Sequence, residues 1–115
     1  MLGSNYIKMS ENIFDLTITS SSNNKYQLLD LTNSTEVKQI LDNFNPDIIV
    51  NCSAYTDVDQ AEKNKHLAHS INVDGLNNII KYSNKHTKII HISSDYIYDG
   101  RTAPYTEEDT PNPIN

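Results

Sequence analysis

Cysteine is nearly absent from this chain, with Cys52 the only one among 115 residues. No internal disulfide can form, which fits a reducing compartment, and a lone thiol of this kind behaves as a small hydrophobe. Glycine and proline occur only 3 and 4 times, and the chain holds neither an internal repeat nor a low-complexity tract. Basic residues are also few, 9 against 15 acidic ones, for a net charge of -6. They are scattered, without the basic stripe or aromatic-basic interleaving that follows a phosphate backbone, which argues against nucleic acid as a partner. No apolar run approaches the roughly 20 residues that span a bilayer. The N-terminal stretch also lacks the charged-then-apolar order of a signal peptide. A cytoplasmic protein with no membrane partner is the expectation.

At this length the chain suits one domain with one core and is too short for two. Hydrophobic residues make up 37% and charged residues 21%, a polar balance. The apolar residues nevertheless fall in blocks, which favours folding over disorder. Three blocks rich in β-branched residues read as strands: Phe14 to Thr19, Asp47 to Asn51, and Lys88 to Ser93. Short apolar runs bounded by polar residues suit strands buried on both faces. Between them lie two helical patterns. Val37, Ile40, Leu41 and Phe44 recur at spacings of three and four after Asn33-Ser34-Thr35-Glu36, where a Ser or Thr can cap the first turn, and Pro46 closes the segment. The second pattern, about Asp59 to His86, carries Ala61, Leu67, Ala68, Ile71, Leu76, Ile79 and Ile80 and breaks into a short and a longer helix.

This alternation implies β-α-β units, hence an α/β, Rossmann-like, doubly wound parallel sheet. Beyond Ser94 the periodicity stops, and Gly100, Pro104, Pro111 and Pro113 mark a long loop. In such folds ligands sit beyond the carboxyl ends of the strands. There stand Asn51-Cys-Ser-Ala-Tyr-Thr-Asp-Val-Asp59 and His91-Ile-Ser-Ser-Asp-Tyr-Ile-Tyr-Asp-Gly100. The small residues of the first let the chain run close to a flat cofactor, and the second offers hydroxyls and a carboxylate at one strand end.

These two stretches, with Pro104 to Pro113, resemble the extended short-chain dehydrogenase/reductases, and within them the dTDP-4-dehydrorhamnose reductase family. Ser-Ser-Asp-Tyr-Ile-Tyr-Asp-Gly is the most specific element, because the related epimerases and dehydratases usually carry Ser-Ser-(small)-Val-Tyr-Gly there. The resemblance implies an NADPH- or NADH-dependent reduction of the C4 ketone of a dTDP-4-keto-6-deoxy-sugar, with a homodimer as one assembly of the intact parent. It places Asp30 and Leu31 beside the adenine ring. Ala54, Tyr55 and Thr56 would line the cofactor's ribose and pyrophosphate, and Asn72 would stand behind the nicotinamide. Ser94 would be the catalytic hydroxyl, with Asp95 and Tyr96 facing the sugar. Asp30 could instead start a turn before a helix, and Asn51 and Asn72 equally suit asparagines that bond backbone. His91, inside an apolar strand, reads as packed rather than catalytic. No histidine spacing suggests a metal.

The family opens with a strand and a Gly-x-x-Gly-x-x-Gly turn, of which only the third glycine, the one that packs helix on strand, has a counterpart here, in Gly3. Relatives continue past Pro-Asn-Pro-(Leu/Ile)-Asn into a Tyr-x-x-x-Lys helix. The expectation is therefore a partial NAD(P)-binding Rossmann domain over 1–115, with an incomplete sheet, two unpaired strand edges and no activity of its own. The second strand region ends in Thr19-Ser20-Ser21-Ser22 with no acid to bind a ribose 2'-hydroxyl, which leans towards NADPH. The alternative is a non-catalytic dinucleotide-binding subunit, resembling the regulatory subunit of methionine adenosyltransferase. An intact Tyr-x-x-x-Lys would mark an enzyme, and an altered one a regulator.

Overall fold

The computed structural model describes residues 2–115, so Met1 lies outside the described residues. The chain opens with helix α1, Leu2–Ser10, which the periodicity did not announce. Strand β1 is only Thr19–Ser20, paired in parallel with β2, Gln27–Leu28. The strand expected over Phe14 to Thr19 is thus corrected to its last residue and the one after it, and Phe14 and Leu16 are exposed. Ladder hydrogen bonds need a neighbour. Residues 14–17 have no strand beside them among the described residues, whereas the Ile18 and Ser20 carbonyls accept from Gln27 and Leu29.

Helix α2, Ser34–Phe44, is capped by Asn33, whose side-chain oxygen accepts from the amides of Thr35 and Glu36. This corrects the expected Ser or Thr cap. Asn33 precedes both and can also take the Glu36 carboxylate on its amide nitrogen, closing a reciprocal box. Asn45 ends the helix in the left-handed region (φ 47°), just before Pro46. Strand β3, Ile48–Asn51, leads into α3, Val58–Lys63, and α4, Lys65–His69. A π-helical turn, Ser70–Asp74, then joins α4 to α5, Gly75–Tyr82. The helical pattern stops short of His86 because Ser83 turns extended and folds its amide and hydroxyl onto the Ile79 carbonyl. Strand β4, Lys88–His91, pairs in parallel with β3 from Ile48↔Lys88 to Asn51↔His91.

Parallel strands joined through helices give the expected Rossmann-like α/β order, with the sheet incomplete: β1-β2 and β3-β4 form two separate two-stranded sheets. Helix α2 packs against α5, and the core is Leu29, Val37, Leu41 and Ile79, flanked by Ile49, Tyr82 and Ile89. Strand alternation turns Ile49 and Ile89 towards these helices and Ile48, Val50 and Ile90 away from them, where they are exposed. Burial on both faces is therefore corrected to burial on one. The radius of gyration, 15.6 Å, exceeds the roughly 13 Å of a compact domain near this size.

Candidate functional site

The β3-β4 register brings the two chemistry-bearing stretches side by side, because Asn51 and His91 are directly opposed at the strands' carboxyl ends. Asn51 is buried. Its Oδ1 accepts from the Ser53 amide at 3.0 Å and the Ser53 hydroxyl at 2.5 Å. An oxygen so engaged turns the amide nitrogen towards His91, 3.1 Å from Nδ1, which must then act as acceptor. The expectation of a packed His91 is corrected: the ring lies exposed at the end of the strand, held by Asn51 rather than by apolar neighbours.

Beyond Asn51 the chain turns through Ala54, Tyr55 and Thr56. Asn72, within the π-helical turn, grips this turn at one residue: its Oδ1 accepts from the Tyr55 amide at 2.7 Å, and its Nδ2 donates to the Tyr55 carbonyl at 3.1 Å. Both ends of the Asn72 amide are thereby committed to backbone, so Asn72 shapes the turn. Ala54 and Thr56 remain exposed. Gly3, on α1, faces Cys52, and a Cβ added to it would stand 3.7 Å from the Cys52 Cβ, an ordinary contact. It therefore sets a helix against the end of β3.

Beyond β4, Ser94 caps a 3₁₀ turn, Asp95–Ile97, accepting from the Tyr96 amide at 3.2 Å and donating to Asp95 Oδ1 at 3.2 Å. Asp95 and Tyr96 line an open cavity of about 580 Å3 together with Val58, Tyr98, Tyr105 and Ile114. Val58 and Tyr98 belong to the two stretches singled out in the sequence but were given no role there, and Tyr105 reaches the cavity from the loop beyond them. The loop is built around Asp99, whose carboxylate accepts from the Tyr105 hydroxyl at 2.7 Å, the Arg101 amide at 3.0 Å and the Asn112 side chain at 3.0 Å. Tyr105 stacks on Tyr98 with ring centroids 4.4 Å apart. The Tyr105 hydroxyl first, then the Arg101 amide and the Asn112 amide, hold Asp99 down to about 2, below its ordinary 3.8.

Asp30 and Leu31 lie apart from this cavity, just after β2. Asp30 Oδ1 accepts from the amide and hydroxyl of Thr32 at 2.9 and 2.8 Å, an Asx turn. Among the described residues no group of three or more His, Cys, Asp or Glu could hold a metal ion, and no helix is long and apolar enough to cross a membrane.

Residues 2–115 match the family described as RmlD substrate binding domain. The chain is 41% identical over 88 residues to the dTDP-4-dehydrorhamnose reductase of Aggregatibacter actinomycetemcomitans, covering 75% of this chain and 30% of that protein. It is 39% identical over 92 residues to methionine adenosyltransferase 2 subunit beta of Bos taurus, covering 79% and 28%. Among solved structures it resembles a hypothetical dTDP-4-dehydrorhamnose reductase from Sulfolobus tokodaii, with TM-score 0.88 and 34% identity, over 99% of this chain and 43% of that one. It also resembles a dTDP-4-dehydrorhamnose reductase from Bacillus anthracis in complex with NADP, with TM-score 0.71 and 42% identity, over 76% and 32%. The chain spans about 30% of the length of the curated relatives it matches.

Proposed function

Because the chain belongs to the RmlD substrate binding domain family, we propose that its 115 residues form one dinucleotide-binding unit of a reductase. That enzyme would reduce the C4 ketone of a dTDP-4-keto-6-deoxy-sugar. The observation that carries this reading is the β3-β4 register, which brings the segments leading into Ala54–Thr56 and into Ser94–Tyr96 out at the same end of the sheet. The residues suit a dinucleotide: Asp30 Oδ2 has no hydrogen bond among the described residues, the Ala54 turn is small and held by Asn72, and the Ser94 hydroxyl is exposed. When bound, NADPH supplies the hydride that goes to the ketone carbon. Ser94 donates a hydrogen bond to the ketone oxygen as charge develops there, and Asp95 and Tyr96 face the sugar. The alcohol oxygen takes its proton from a tyrosine of a Tyr-x-x-x-Lys pair. None of the 7 tyrosines here has lysine four residues on, so the 115 residues alone turn over no substrate. NADPH is favoured over NADH because β1 ends in Thr19–Ser20 and no acidic side chain follows at once. The relative from Bacillus anthracis was solved with NADP.

The test is Ser94→Ala in the intact protein. It should lower kcat on the order of 100-fold with cofactor affinity nearly unchanged. Ser93→Ala, one residue earlier in the segment that follows β4, should leave kcat alone. Equal effects of the two, or a Ser94→Ala defect confined to NADPH binding, would remove Ser94 from the chemistry. A second reading, a dinucleotide-binding subunit without turnover, draws support from the 39% identity to methionine adenosyltransferase 2 subunit beta. Absence of turnover by the intact protein with dTDP-sugars, alongside retained NADPH binding, would favour it.

A further inference from the structure

Asn78, on α5, reaches a segment 47 residues away: its Nδ2 donates to the Leu31 carbonyl at 2.8 Å in part-buried surroundings. One turn earlier the same helix presents Gly75, which is buried. A Cβ placed there would stand 3.0 Å from the Leu31 Cβ. Glycine is a poor choice within a helix unless another group must come close, and here Leu31 occupies the space a side chain would take. From the opposite side, the Asp30 amide donates to Glu36 Oε2 at 3.1 Å. Leu31 is thus fixed at its carbonyl and its Cβ by α5, and the amide just before it is fixed by α2. The Asx turn of Asp30 onto Thr32 completes the arrangement.

What this leaves facing outward is an acceptor, Asp30 Oδ2, beside a half-buried apolar side chain. That pair suits a flat heteroaromatic ring bearing an amino group. We propose that Gly75 and Asn78 are positioning residues that hold the Asp30–Leu31 segment in register for the adenine end of the cofactor, an inference that rests on the dinucleotide reading above. A segment ordered in advance spares the ligand the entropy of ordering it. Loosening the grip therefore weakens the adenine end without altering chemistry at the far end of the cofactor.

The experiment uses the intact protein and two probes, NADPH and adenosine 2',5'-diphosphate, titrated by calorimetry, with kcat measured at saturating NADPH. Asn78→Asp keeps the shape and removes the donor. It should raise the Kd of both probes by the same factor, about five- to tenfold, the scale of one lost hydrogen bond, and leave saturated kcat unchanged. Gly75→Ala should shift both probes in the same direction, because Leu31 must give way by a few tenths of an ångström, and it carries the test should Asn78→Asp not fold. Asn77→Asp makes the same chemical change at an exposed neighbouring position and should bind both probes like the parent. Unchanged affinity for adenosine 2',5'-diphosphate in both variants would overturn the inference, as would a fall in saturated kcat. A parent protein that bound neither probe would instead overturn the dinucleotide reading, and this inference with it.

Discussion

Asp99 shows how one residue can organise a segment that carries no periodic pattern. Three donors converge on its carboxylate, and the favourable partner of each is the charged form. With the folded value at about 2 and the free value at 3.8, the loop gains from Asp99 at every pH above the free value. That gain is lost as pH falls through about 2. The Tyr98–Tyr105 stack should therefore persist down to about pH 4 and loosen between about pH 4 and 2, read from the ring proton shifts of the two tyrosines. Asp99→Asn should loosen the stack at neutral pH and abolish the dependence. A stack indifferent to both changes would mean that the carboxylate does not hold the loop. Sequence reading placed Asp95 and Tyr96 at a ligand site because they follow a strand. It could not place Tyr105, whose approach to the same cavity depends on where Asp99 anchors the loop.

Among the elements, α2 was the most legible. Of its apolar residues at spacings of three and four, Val37 and Leu41 are buried in the core with Ile79 of α5, as that spacing requires. Its first turn depends on Asn33, whose Oδ1 satisfies the Thr35 and Glu36 amides that no helical carbonyl can reach, while Glu36 holds the Asn33 side-chain amide. Asn33→Ala should lower stability by about 1 kcal/mol, measured as a shift of the urea midpoint at constant slope, while Asn33→Asp should largely retain it. The strand region from Phe14 was legible as apolar and β-branched but not in its extent, because a strand is defined by the neighbour that pairs with it. Gly75 left a readable signal, a glycine inside a helical pattern. The reason for it was invisible, since Leu31 is distant in the chain.

For the molecule as a whole, the two sheets share no strand, and Ile48, Val50 and Ile90 form an uncovered apolar face. Only four hydrophobic side chains are buried among the described residues. Such a core is thin against the conformational entropy of 115 residues. The chain on its own should therefore unfold with broad, probe-dependent transitions or self-associate at micromolar concentration, seen by calorimetry and sedimentation velocity. A monodisperse monomer melting in one sharp two-state transition would show that the open face costs less than this.

By itself the sequence determined the alternation of helix and strand from α2 to β4, that the sheet is incomplete, the family, and the two stretches that follow β3 and β4, but neither α1 nor β2. All of these are written in local patterns: periodicity, and a run as specific as Ser94-Asp95-Tyr96. Only the tertiary structure decided that Asn72 bonds the Tyr55 backbone, that His91 pairs with Asn51 in the open, and that Gly75 and Asn78 close on Leu31. Each of these joins residues from separate elements. A side chain's partner across such a distance is set by the packing of whole helices and strands, which no local spacing encodes.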